Sequence, residues 1–169
     1  GIFGDAGGGS VLKFKDVVGL HATYRGAIVL RGTANPATPA ATYPNVSSLT
    51  IYAEGVIPPN FHGVQIAYRA IVKHVKANAF TGYGFFVDGS NGNANSSFLE
   101  GCTSTGCDTG FFTTGSDGNA CNFLKCAAFG VTNYSFYDSS LFGNTYTSCE
   151  GGYDGVHCYY VLNNNVNTS

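Results

Sequence analysis

The sequence contains no methionine, no tryptophan and few charges. Asp, Glu, Lys and Arg together make up 11% of its 169 residues, while hydrophobic residues reach 44%. The surface must therefore be polar without being ionic, carried by Asn, Ser, Thr and Gly. Long solvated helices are disfavoured, because these residues are poor helix formers. The alanine-rich stretches break on Gly, Pro or Asn within about ten residues, so almost no helix is expected. No apolar run approaches the roughly 20 residues of a membrane helix, and no signal peptide is visible. With no starting methionine and an opening Gly1, the chain is expected to be a processed or excised piece of something longer.

Other signatures are missing too. There is no Walker loop, dinucleotide fingerprint or nucleophile elbow. Gly7-Gly8-Gly9 alone makes no phosphate site. The basic residues are scattered and the net charge is -2, which argues against a nucleic-acid partner. His21, His62, His74 and His157 show no ligand spacing. The cysteine pairs Cys102/Cys107 and Cys121/Cys126 are five apart, not at the CxxC spacing of a zinc site. Buried free thiols are expected, since cysteine packs as a small hydrophobe. No metal and no cofactor are assigned. Asp88-Gly-Ser-Asn-Gly-Asn alternates oxygen ligands but lacks the closing Glu of a calcium loop.

What the chain does contain is repetition. Gly84-Phe85-Phe86 returns as Gly110-Phe111-Phe112 and as Ser135-Phe136-Tyr137, at steps of 26 and 25 residues. Between the copies, an apolar residue precedes a cysteine by three: Leu99 to Cys102, Phe123 to Cys126, Tyr146 to Cys149. Two interleaved ladders with one period mean a unit stacked upon itself, a solenoid. Upstream, Ser10–Val17, Tyr24–Gly32, Ser48–Gly55 and Gly63–Arg69 alternate with the period of half-buried strands. Lys73 breaks that alternation by sharing parity with Ile71 and Val75, which a bulge would relieve. Turn-linked strands stacking on their own copies pair in parallel. The fold class is all-β, a single-stranded right-handed parallel β-helix with about seven coils at roughly 23–25 residues each. Residues 1–10 read as a Gly-rich lead-in, 11–169 as the β-helix, and 33–47 as a long Pro/Ala/Thr loop.

The segments GYGFFVDGSNGNANSSFLEGC, DTGFFTTGSDGNACNFLKC and YSFYDSSLFGNTYTSC resemble right-handed parallel β-helix proteins of the pectate-lyase-like superfamily. They are most similar to the versions in bacteriophage tail spikes and related bacterial surface proteins. The resemblance covers about 70 residues strongly. It implies an extracellular or virion-tail location, a trimer, and a polysaccharide or cell-surface glycan as partner, without membrane insertion. It leaves the activity open, since that superfamily includes lyases, hydrolases, epimerases and adhesins.

The candidate site lies on the outward face of the repeat. With Phe85, Phe111 and Phe136 inward, Phe86, Phe112 and Tyr137 point outward in a column, and His157 is expected to continue it. Such rings beside Asn, Ser and Thr suit a sugar, or another subunit. For hydrolysis, Asp88, Asp117 and Asp138 are the candidate carboxylates, expected on one side of the stack at separations a glycosidase pair could use. As ordinary turn residues they would have no such role. Residues 1–80 carry seven cations against three anions, whereas 81–169 carry only Lys125 against seven anions. Three readings follow. One is a module that binds polysaccharide and, where carboxylates pair, hydrolyses it. Another is a non-catalytic shaft or adhesin with the aromatic column as an intersubunit seam. The last is a pectate-lyase-like eliminase, for which no calcium ligands or basic residue can be placed.

Overall fold

The structure is a computed structural model that describes residues 2–3, 10–32, 43–152 and 157–162. Every regular element among them is a strand, and every pairing is parallel. One sheet stacks β3 (Gly26–Leu30), β5 (His62–Ile66), β7 (Tyr83–Asp88), β10 (Thr109–Gly115), β13 (Tyr134–Ser140) and β16 (His157–Val161) in that order. The other begins with β1 (Ile2–Phe3), β2 (Ser10–Lys15), β4 (Asn45–Glu54) and β6 (Ile71–Asn78). It then divides into two tracks of short strands. One holds β8 (Phe98–Glu100), β11 (Asn122–Leu124) and β14 (Thr145–Thr147). The other holds β9 (Thr103–Thr105), β12 (Ala127–Phe129) and β15 (Glu150–Gly151). The fold is a parallel β-solenoid.

The solenoid makes about four coils, not seven. Dividing chain length by the repeat assumes that every residue winds at the same pitch. Only the four steps through Val64, Phe85, Phe111, Phe136 and Tyr159, of 21, 26, 25 and 23 residues, stay near that pitch, whereas the step from Ile28 to Val64 spans 36 residues. Residues 33–42 of the expected loop lie outside the described residues, and Asn45–Ser47 already belong to β4. Of the lead-in, residues 4–9 also lie outside the described set. Ile2–Phe3 pairs with Val46–Ser47.

The apolar-x-x-Cys spacing has a backbone cause. Ser48, His74, Gly101, Lys125 and Ser148 occupy one corner of successive coils, all left-handed with φ between 51° and 60°. A left-handed residue turns the wall, so the side chains two positions before it and one position after it both point inward. This places Val72 and Val75, Leu99 and Cys102, and Phe123 and Cys126 together in the core, each at most 1% exposed. The parity break at Lys73 is this corner, at His74. A second left-handed corner at Ala79, Gly106 and Gly130 precedes buried Phe80, Cys107 and Val131.

The interior is a set of ladders. Phe111 stacks between Phe85 and Phe136, with centroids 4.8 Å away on both sides and planes within 7°. Cys102, Cys126 and Cys149 superpose coil on coil, Ala127 N donating to Cys102 O and Glu150 N to Cys126 O. All six cysteines are free thiols. Cys102, Cys107, Cys121 and Cys126 are buried, and burial pushes the Cys121 thiol up to about 11, so these four sulfurs behave as core atoms.

Candidate functional site

The outer face of the first sheet carries an aromatic field. Phe86 stacks on Phe112 at 5.4 Å and 11°, and Phe112 packs on Tyr137 at 4.8 Å. These three rings form a column, as the repeat predicts. His157 does not continue it. The register pairs Tyr137 with Tyr160, and His157 with Tyr134. Cys158-Tyr159-Tyr160 is in effect a fourth copy of Ser135-Phe136-Tyr137, a signal present in the sequence. His157 belongs to a second column three residues upstream, where it stacks on Tyr134 at 5.8 Å. That column also holds Tyr83 and His62, stacked at 4.6 Å and 3°.

Two columns arise because Gly84 and Phe85 both face inward. A Cβ on Gly84 would clash with the interior Ser104 Oγ. Tyr83 and Phe86 thus emerge on the same outer side, with ring centroids 5.1 Å apart. Tyr83 also packs on Phe112 at 4.6 Å, and Tyr134 on Tyr137 at 5.0 Å. The field is therefore broader than a single strip. Its rings are half-buried, apart from buried His62 and exposed His157.

The three candidate aspartates do not share a side. Asp138 pairs with Thr113, in the inward column with Val87, whereas Asp88 pairs with Thr114, in the outward one. Asp88 is the third residue after its inward phenylalanine and Asp138 only the second. With a side-chain period of two, that offset reverses the face. Neither carboxylate has a free oxygen. Asp88 is fully buried and accepts from Gln65 Nε2, Asn91 N and Asn91 Nδ2 at 2.8–3.2 Å. Asp138 is 3% exposed and accepts from Ser140 N, Ser140 Oγ, Asn144 Nδ2 and Tyr146 OH at 2.6–3.1 Å. Asp117 is half-buried in the turn beyond β10 and accepts from Asn95 Nδ2 at 2.9 Å.

Two margins of the field escape a reading by motif. At the start of β10, Asp108 accepts from Asn133 Nδ2 at 2.7 Å. Burial chiefly, and then the Asp108 charge, raise the Tyr83 phenol. At the far ends of β10 and β13 lies a shallow groove of about 240 Å³, lined by Thr114, Gly115, Ser116, Ser139 and Leu141. Below the field, His62 is held neutral, with its pKa lowered to about 4 by burial first and then by the Arg25 charge, against an opposing pull from Asp88. Its Nδ1 accepts from Tyr83 N at 3.0 Å.

The outer face of the second sheet differs. It carries the ion pairs Lys73–Glu100 at 2.8 Å and Lys13–Glu54 at 3.6 Å. Among the described residues, no group of three or more His, Cys, Asp or Glu could hold a metal ion. The chain matches no protein-family model, no curated protein and no solved structure.

Proposed function

We propose that this β-solenoid binds polysaccharide along the outer face of its first sheet, as part of an extracellular or virion-tail fibre that assembles as a trimer. One observation carries the reading. Phe86, Phe112, Tyr137 and Tyr160, with Tyr83, Tyr134 and His157 beside them, form a continuous half-open aromatic surface. A hydroxyl-lined groove adjoins it. A surface of this size on one face of a domain marks an interaction site. Sugar chains present both apolar C–H faces and hydroxyls, and this face offers matching groups for each.

The function is binding rather than hydrolysis through the candidate aspartates. A glycosidase requires two carboxylates that can reach the scissile bond. Asp88 and Asp138 lie on opposite faces, and their oxygens are occupied by buried donors. That leaves Asp117 alone of the three.

A second reading, the non-catalytic shaft with the aromatic field as intersubunit seam, is favoured by one detail. Phe86 and Phe112 cover each other's faces at 11°, so the column presents ring edges outward. Retention of the chain on immobilised bacterial capsular polysaccharides, without release of reducing ends, supports the binding reading. Failure to bind any of them, together with a trimer in sedimentation whose assembly is broken by Tyr137→Lys, replaces it with the shaft.

A further inference from the structure

The rings of the aromatic field are largely covered by one another, so a sugar ring seeking a flat partner must find it elsewhere. Phe142 supplies one. Its side chain sits in the turn after β13, and the residue is 75% exposed. Among the described residues no other ring stacks on it. In the turn 141–144 it stands among Leu141, Gly143 and Asn144 and points largely into solvent.

Asn144 anchors one end of the turn through Asp138 Oδ2 and Cys121 N, and Asn119 anchors the other. Asn119 is 6% exposed. Its Oδ1 accepts from Phe142 N at 2.8 Å, while its Nδ2 donates to Ser116 O. Asn119 N in turn donates to Asn95 Oδ1 on the preceding coil at 2.8 Å. The amide thus bridges Phe142 to the groove wall formed by Ser116. Leu141, the neighbour of Phe142, lines the same groove with Thr114, Gly115 and Ser139.

The chemistry of this groove selects its occupant. At about 240 Å³ it is below the size of a drug-like pocket and suits one ring of a longer ligand. Its lining combines hydroxyl residues and Gly115 with the apolar Leu141, and has no charged side chain. Nothing there would compensate a buried carboxylate or sulfate. We propose that the groove is a subsite for one neutral pyranose unit, its hydroxyls meeting Thr114 and Ser116, with the ring of Phe142, beside the lining residue Leu141, as the platform for its C–H face. The assignment rests on the polysaccharide-binding reading and adds to it a position and a charge class.

The test is affinity electrophoresis of the whole chain in gels containing soluble glucan, galactan or mannan, with alginate and polygalacturonate as charged counterparts. The expected result is retardation by a neutral polymer, weakened at least tenfold by Phe142→Ala and by Ser116→Lys, which fills the groove. Phe142→Tyr should bind as the parent does. Both altered side chains are exposed, so unchanged melting temperatures should accompany the loss. Parent-like binding by Phe142→Ala and Ser116→Lys overturns the subsite and leaves the polysaccharide reading intact. Retardation by the charged polymers alone overturns the neutral assignment. Retardation of the parent by none of the five removes the subsite together with the reading it rests on.

Discussion

The Tyr146 hydroxyl donates to Asp138 Oδ2 at 3.1 Å, inside the coil, and so ties one track of short strands to the opposite sheet. Beneath the same carboxylate, Ser140 and Asn144 complete a closed set of donors. Burial, and then the Asp138 charge, push the Tyr146 phenol well above its usual range. An acid so enclosed acts as a folding residue. Asp138→Ala leaves several buried donors without an acceptor, and a loss on the order of 3 kcal/mol is expected in urea unfolding. Tyr146→Phe should cost about 1 kcal/mol, and the double variant less than the sum, because the two changes share one hydrogen bond. Additive losses would show that the two groups are not coupled.

His62 makes stability depend on pH. Its folded pKa of about 4 lies below the ordinary value of 6.5, so between those values the unfolded chain binds the proton more readily. The contribution is fully present above about pH 6.5 and is lost as pH falls toward 4. A displacement of this size corresponds to about 3 kcal/mol. Protonation also removes the acceptor used by Tyr83 N. Urea midpoints at pH 7 and 4.5 should fall further for the parent than for His62→Gln. Equal falls would mean that other groups govern the acid limb.

The ladders were legible because stacking demands like residues at a fixed step, and Phe85, Phe111 and Phe136 obey it. The corner that sets the cysteine spacing was not. Ser48, His74, Lys125 and Ser148 share a backbone angle and no side-chain chemistry. The opposed faces of Asp88 and Asp138 were encoded in their distances from Phe85 and Phe136, but both resemble turn residues when read by type. Hydrogen-bond saturation of those aspartates depends on Gln65, Asn91, Asn144 and Tyr146. Two of these partners, Gln65 and Tyr146, come from other strands, where no local pattern points to them.

Position along the phenylalanine ladder should grade the cost of truncation. Phe111 has a stacked ring on each side and is 1% exposed, whereas Tyr159, among the described residues, has a stacked ring, Phe136, on one side and is 46% exposed. Phe111→Ala is expected to cost about 4 kcal/mol. Tyr159→Ala removes a ring already half in water and should cost about 1 kcal/mol. Thermal or urea denaturation of the two variants measures the difference. Comparable losses would mean that the last coil carries as much packing as the middle ones.

The left-handed corner offers the reverse experiment. Lys125 holds φ at 52° with a side chain that disfavours this region, whereas Gly101 holds 60° one coil earlier at no such cost. A β-carbon in the left-handed region is worth roughly 1 kcal/mol of strain. Lys125→Gly should therefore stabilise the folded state or leave it unchanged, despite the flexibility that glycine adds to the unfolded chain. Gly101→Ala should do the opposite, and by more. Its new methyl would enter the left-handed region and meet His74 Nδ1 at 2.6 Å. Melting temperatures that drop equally for both variants would show that the corner imposes no left-handed preference. A drop confined to Gly101→Ala is the result that the shared geometry of Ser48, His74, Gly101, Lys125 and Ser148 requires.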